Sequence, residues 1–195
     1  MKLVQLLKEI EKKKKYTIFC DMDGVLVDFD KGYEMLTGKT THHADSQGKD
    51  EFWRLFRDSL KEKDIPERSY WADLKPMPDK EKLWNFISPF NPYVLTAPSV
   101  NMELPFEERY KFDNNESMQG KTEWADKYLS NMRKLYFRSA GRKSDFAGPN
   151  KILIDDREDT IDAWNAAGGI GILHTSAAST IDALNKIDPN IFKLD

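Results

Sequence analysis

Short apolar runs separated by helical patterns dominate the chain. Thr17–Cys20, Tyr93–Thr96, Lys134–Phe137, Ile152–Asp155 and Gly169–Leu173 each have the length and β-branched or aromatic content of a core strand. Between the later ones, Lys80–Ile87, Thr122–Met132 and Asp159–Ala167 show helical spacing, with Trp124, Tyr128 and Leu129 on one side of the second. Gly168-Gly169 then ends the third as a helix stop. Strands alternating with helices predict an α/β fold, a doubly wound, Rossmann-like parallel sheet with right-handed crossovers.

Two stretches break this rhythm. Residues 31–78 are rich in aromatic and charged side chains, among them Tyr33, Phe52, Trp53, Phe56, Tyr70 and Trp71, with helical spacing through Glu51–Lys63. Lying directly after the first strand, they predict a small helical cap inserted into a core built from 1–30 and 79–195. Asn101–Gly120 is acidic and aromatic, and too long for a routine connection, so it is expected to be a functional or mobile loop. At the N-terminus, Leu3, Leu6, Leu7 and Ile10 precede Lys12-Lys13-Lys14-Lys15. That order is the reverse of a signal peptide and predicts an amphipathic helix over 1–15, docked on the domain or, alternatively, binding a membrane surface or a partner.

With 195 residues, the chain can bury one core plus a small subdomain. A net charge of −3 offers no electrostatic reason for an obligatory duplex nucleic-acid partner. No apolar run approaches the roughly 18 residues that span a bilayer, so no membrane partner is expected. Cys20 is the sole cysteine, which excludes an internal disulfide framework and points to a reducing cytoplasm. Its place in an apolar strand makes it an inert core thiol rather than a nucleophile.

Candidate chemistry gathers at strand ends, where open α/β sheets place their sites. The first strand ends in Asp21-Met22-Asp23-Gly24, and two carboxylates so close call for a cation; oxygen ligands suit Mg²⁺. The second strand ends in Thr96, which offers a hydroxyl to a site at the neighbouring strand tip or is simply a strand-end residue. The fourth ends in Asp155-Asp156, read as metal ligands or as a helix N-cap. Two lysines could serve these groups. Lys143 lies in the polar segment before the fourth strand, whereas Lys151 opens that strand at the end opposite Asp155, roughly 13 Å away. Lys143 is therefore preferred. Arg142, beside it, is either a further cation of the site or simply solvated. His42 and His43 lack partners at metal-ligand spacing and read as loop residues.

This set resembles the haloacid dehalogenase-like superfamily of phosphotransferases. More narrowly, Asp21-Met22-Asp23-Gly24-Val25-Leu26-Val27-Asp28-Phe29 and Ile152-Leu153-Ile154-Asp155-Asp156-Arg157 resemble the 5′(3′)-deoxyribonucleotidases and cytosolic-type 5′-nucleotidases. Tyr70-Trp71-Ala72-Asp73-Leu74-Lys75-Pro76-Met77-Pro78 is similar to the segment that closes their cap. Leu95-Thr96-Ala97-Pro98 is similar to their second motif, with Ala97 where they tend to carry serine, and Lys121–Leu129 to the helix that follows. The resemblance runs from about Thr17 to His174.

It implies a Mg²⁺-dependent phosphatase. Asp21 would be nucleophile and metal ligand, and Asp23 the acid/base that lends its carbonyl to the metal. Asp156 would be a ligand, and Asp155 a further ligand or the support of one. Thr96 would bind a phosphoryl oxygen and Lys143 would balance its charge. Phe29, Phe52, Trp53, Trp71, Ala97 and Arg142 would contact substrate, the aromatic rings by stacking on a base. The expected small-molecule partner is a phosphomonoester, foremost a (deoxy)nucleoside monophosphate; a phosphosugar or a phosphorylated nucleic-acid end is the alternative. A catalytically silent binding module is a third reading, which the intact acidic set disfavours. A homodimer is left open.

Overall fold

Five short strands form one parallel sheet: β1 (Thr17–Cys20), β2 (Tyr93–Thr96), β3 (Lys134–Phe137), β4 (Lys151–Asp155) and β5 (Ile170–Leu173), in the order β3-β2-β1-β4-β5. The computed structural model describes residues 15–42, 48–99, 108 and 111–192. Nearly all of the expected N-terminal helix, His43 and much of the 101–120 stretch lie outside the described residues. The α/β fold read from the alternating pattern is the one observed. β1 to β3 coincide with the expected strands, and β4 and β5 differ by one residue at their starts.

The chain packs as two compact units. The first comprises the described residues of Met1–Leu26, Met77–Ala97 and Leu129–Asp195; the second comprises those of Val27–Pro76 and Pro98–Tyr128. Most of the segment expected as a cap thus falls in the second unit. That unit also takes in 98–128, which the strand–helix rhythm had assigned to the core.

In the first unit the sheet is joined by α4 (Lys80–Ile87), α6 (Glu158–Ala166) and α7 (Ala177–Ile187). α4 packs on α7, and α6 packs on β4 and β5. Phe19, Leu95, Leu153, Ile161 and Trp164 form a buried cluster, with Tyr93, Tyr136 and Phe146 packed against it. All five bury apolar area from three adjacent strands and the α6 face, and Phe19, Leu95, Leu153 and Ile161 each contribute about 1.5–3 kcal/mol. The Trp164 indole N–H donates to the Lys151 carbonyl at 3.1 Å, so the large ring is buried without an unmet donor.

In the second unit, α1 (Phe29–Thr37), α2 (Lys49–Glu62), α3 (Glu67–Asp73) and α5 (Glu116–Tyr128) pack together, α1 on α2 and α3 on α5. α2 buries Phe52, Phe56 and Leu60 along one side and carries an Arg54 ion pair to Glu51 on the other. α5 begins six residues before the helix expected over 122–132 and ends four before it. The Asn115 side chain starts it by accepting from the Met118 N–H at 2.9 Å. Gly120, which argues against a helix on propensity, is required by packing. A Cβ there would lie 2.3 Å from the Arg68 carbonyl oxygen of α3. Past the helix end, Asn131 takes a left-handed φ of 58° that no continuing helix allows.

Candidate active site

Parallel strands bring their C-terminal ends to one edge, and the central position of β1 decides what meets there. Cys20 pairs with Val94 on one side and Ile154 on the other. Asp21, one residue on, therefore sits between the ends of β2 and β4, and its N–H donates to the Ile154 carbonyl at 2.9 Å. The chain then turns sharply. The Met22 N–H donates to Asp21 Oδ1 at 2.8 Å, and Val25 and Leu26 both donate to the Met22 carbonyl. Gly24 makes the turn at φ 74°, and a Cβ there would lie 2.2 Å from Asp156 Oδ2. The glycine thus serves both a left-handed backbone and the close approach of a carboxylate from β4.

Lys143 enters from the 3₁₀ segment Ala140–Phe146, between β3 and β4. Its ammonium lies 2.7 Å from Asp21 Oδ2 and 2.7 Å from Asp155 Oδ2, with the side chain 1% exposed. The other oxygen of Asp155 accepts from the Arg157 N–H at 3.0 Å. Asp21, Asp155 and Asp156 each present an oxygen, all within 4.8 Å of one another. Lys151 faces elsewhere, donating to the Phe146 carbonyl at 2.8 Å. The lysine at the carboxylates is Lys143.

Three carboxylates lie together with one ammonium that pairs with two of them, and the titration of Asp155 and Asp156 reflects the crowding. Burial, then the negative charge of Asp21, raises Asp155 to about 6, with Lys143 pulling the other way. Asp156 is raised to about 7 by desolvation, then by Asp21 and Asp155. It keeps exposed surface as a residue, but its carboxyl is tucked against Gly24. Burial alone would lower Lys143; Asp21 and Asp155 outweigh it and raise the ammonium pKa. Near neutrality the site is short of positive charge. The same oxygens suit a hard divalent cation.

The remaining candidates divide. Thr96 is fully buried at the end of β2, beside β1, and Ala97 follows it half-buried. Asp23 is half-buried in the turn. Arg142 is exposed and pairs with Asp145 at 3.1 Å. Phe29, Phe52, Trp53 and Trp71 belong to the second unit, in an aromatic cluster with Tyr33, Phe56 and Tyr70. Phe29 stacks on Trp71 at 5.3 Å, and Tyr33 on Phe52 at 4.3 Å. Trp71 and Phe52 are buried there, whereas Phe29 and Trp53 keep part of their surface. His42 is exposed.

Sequence reasoning passed over Arg138, which directly follows β3 and whose N–H donates to the Thr96 carbonyl at 2.9 Å, and over its partner Asp145. A signal was present: Arg138 occupies the same strand-end position on β3 as Ala97 does on β2. It also missed Lys121, buried with its ammonium 4.4 Å from the centre of the Trp71 ring, a contact between helices that no local spacing announces.

No protein-family model matches the sequence, and no curated protein matches it significantly. Solved structures do. A haloacid dehalogenase-like family hydrolase from Streptococcus pneumoniae is 14% identical, covering 87% of this chain and 91% of its own, with a TM-score of 0.50. A second hydrolase from Streptococcus pneumoniae is 16% identical over 88% of this chain and 99% of its own, at a TM-score of 0.46. A HAD-superfamily hydrolase from Ehrlichia chaffeensis is 10% identical over 91% and 97%, at 0.48. At such identities what the first match shows is shared architecture. The chain has the fold of the haloacid dehalogenase-like hydrolases.

Proposed function

We propose that this protein is a Mg²⁺-dependent phosphomonoesterase that works through an aspartyl-phosphate on Asp21 and takes (deoxy)nucleoside monophosphates. The observation that carries the reading is the buried ammonium of Lys143, 2.7 Å from both Asp21 and Asp155 at the end of the central strand. A phosphate monoester dianion repels an anionic nucleophile until charge is balanced, and this arrangement supplies part of that balance.

Asp21, Asp155 and Asp156 would hold the Mg²⁺ through their carboxylates, with the Asp23 carbonyl as a further oxygen. Bound there, the cation would neutralise charge on the phosphoryl group. A carboxylate oxygen of Asp21 attacks phosphorus, and the bond to the ester oxygen breaks. Asp23 gives its proton to that leaving oxygen. It then takes a proton from water, whose oxygen attacks the same phosphorus; inorganic phosphate leaves and the Asp21 carboxylate is restored. Thr96 donates to a phosphoryl oxygen, and Lys143 holds Asp21 in place and offsets negative charge.

The nucleotide assignment rests on the motif resemblance and on the aromatic content of the second unit. Phe29 and Trp53 keep the exposed surface that base stacking needs, with Trp71 and Phe52 packed against Phe29. A phosphate-release screen with Mg²⁺ across nucleoside 5′- and 3′-monophosphates, phosphosugars and phosphorylated oligonucleotides tests it. Release from nucleoside monophosphates is expected; release from phosphosugars or oligonucleotide ends alone replaces the substrate and keeps the chemistry. Asp21→Asn should abolish turnover without lowering the melting temperature, because it removes one of three crowded carboxylates. Retained turnover would remove the aspartyl-phosphate.

A further inference from the structure

The segment that delivers Lys143 is poorly held by its own backbone. Residues 140–146 are 3₁₀, whose hydrogen bonds are weaker than those of an α-helix and rarely sustain long runs. Bonds such as Arg142 N–H to Ser139 O at 2.9 Å and Ala147 N–H to Ser144 O at 3.0 Å close only local turns. Yet the Lys143 ammonium reaches two carboxylates at 2.7 Å each. Something outside the segment must fix it.

At its C-terminal end, Lys151 donates to the Phe146 carbonyl at 2.8 Å, and the Phe146 ring packs 5.8 Å from Phe19 and 5.2 Å from Tyr136. Nearer Lys143, the tie is ionic. Asp145, two residues away, accepts from Arg138 Nε at 3.1 Å and from the Arg138 Nη2 group through the same Oδ2, and pairs with Arg142 at 3.1 Å. Arg138 is itself pinned, since its N–H donates to the Thr96 carbonyl. A continuous path therefore runs from the end of β2 through Arg138 and Asp145 to the segment carrying Lys143.

We propose that Asp145 is a positioning residue, and that the Arg138–Asp145–Arg142 cluster is a brace that holds Lys143 at the carboxylates. Both arginines converge on one carboxylate oxygen, so the brace depends on that oxygen's charge. All three side chains are at least one-third exposed, which opens the brace to screening by salt. Its role rests on the phosphoryl-transfer reading given above, because only there does the place of Lys143 affect a rate. A displacement of about 1 Å in such a group can cost about a hundredfold.

The experiment compares Asp145→Asn, Asp145→Glu, Arg138→Ala and wild type in two measurements. Hydrogen–deuterium exchange needs no activity. The brace predicts faster exchange in 138–147 for Asp145→Asn and Arg138→Ala, with the rest of the sheet unchanged. Steady-state kinetics on the best phosphomonoester should give a kcat lower by about tenfold to a hundredfold in both, with KM within about threefold. Asp145→Glu should recover part of kcat. Wild-type kcat should fall as salt rises while that of Asp145→Asn stays flat. Exchange and kcat unchanged in Asp145→Asn would overturn the brace. So would a raised KM in Arg138→Ala beside a normal Asp145→Asn, which would place the arginine on the substrate. A wild type inactive on every phosphomonoester would sink the phosphatase reading, while the exchange result would still decide whether the brace exists.

Discussion

Replacing Lys143 with methionine keeps much of the side-chain volume and removes the charge. The ammonium is buried between Asp21 and Asp155, so the change leaves an uncompensated anion inside the protein. Breaking a buried pair in this way costs about 3–5 kcal/mol. A carboxylate can escape by taking up a proton, and that route sets a ceiling. With an ordinary value of 3.8, neutralising one aspartate costs about 1.36 kcal/mol per pH unit above it, or about 1.6 kcal/mol at pH 5 and about 5.7 kcal/mol at pH 8. The loss in Lys143→Met should therefore be about 1–2 kcal/mol at pH 5 and should grow to about 3–5 kcal/mol at pH 8. For a chain of this length each kcal/mol moves the melting temperature by about 2–4 °C. Thermal unfolding of both proteins in EDTA, from pH 5 to pH 8, reads the difference directly. Saturating Mg²⁺ should return part of it at pH 8 by supplying the missing positive charge. A destabilisation that is absent at pH 8, or equal at both ends of the range, would refute the charge argument.

Two further expectations concern the cation. Without it, raised values for Asp155 and Asp156 mean that the stability these groups contribute is fully present below 3.8. It is lost as pH rises through about 6 and about 7. A divalent cation needs both carboxylates ionised, so Mg²⁺ affinity should strengthen from pH 5.5 to pH 7.5 with proton release, by calorimetry in buffers of different ionisation enthalpy; a flat Kd would contradict it. Gly24→Ala would strain a φ of 74° by about 1 kcal/mol and press a Cβ against Asp156, so Mg²⁺ affinity should weaken by about tenfold or more. Binding equal to wild type would show that Asp156 does not depend on the glycine.

Local pattern carried the sheet well, because β1, β2 and β4 are mainly buried apolar runs, and aspartate marks the ends of β1 and β4. It also carried the choice of Lys143 over Lys151, since a parallel strand has a polarity and Lys151 starts at its wrong end. The start of α5 was hidden for a specific reason. Gly120 is a poor helix former, and what places it in a helix is the approach of α3, a contact between residues far apart in sequence. Arg138 and Asp145 were hidden likewise: seven residues apart in an irregular segment, they share no periodicity. The aromatic residues of 29–71 were ambiguous by nature, because a stacking surface and a packed interior draw on the same rings.

The sheet order has a consequence for synthesis. β1 lies between β2 and β4, and β4 follows β1 in the chain only after β2, β3 and the five helices α1 to α5. As the nascent polypeptide emerges, Asp21 is made well before its ammonium partner and neighbouring carboxylates. Until β4 is in place, β1 has an open edge and Asp21 sits in water, where its charge is harmless. The like charges are forced together only when the last strands close, so their repulsion weighs on the completed domain and not on its first steps.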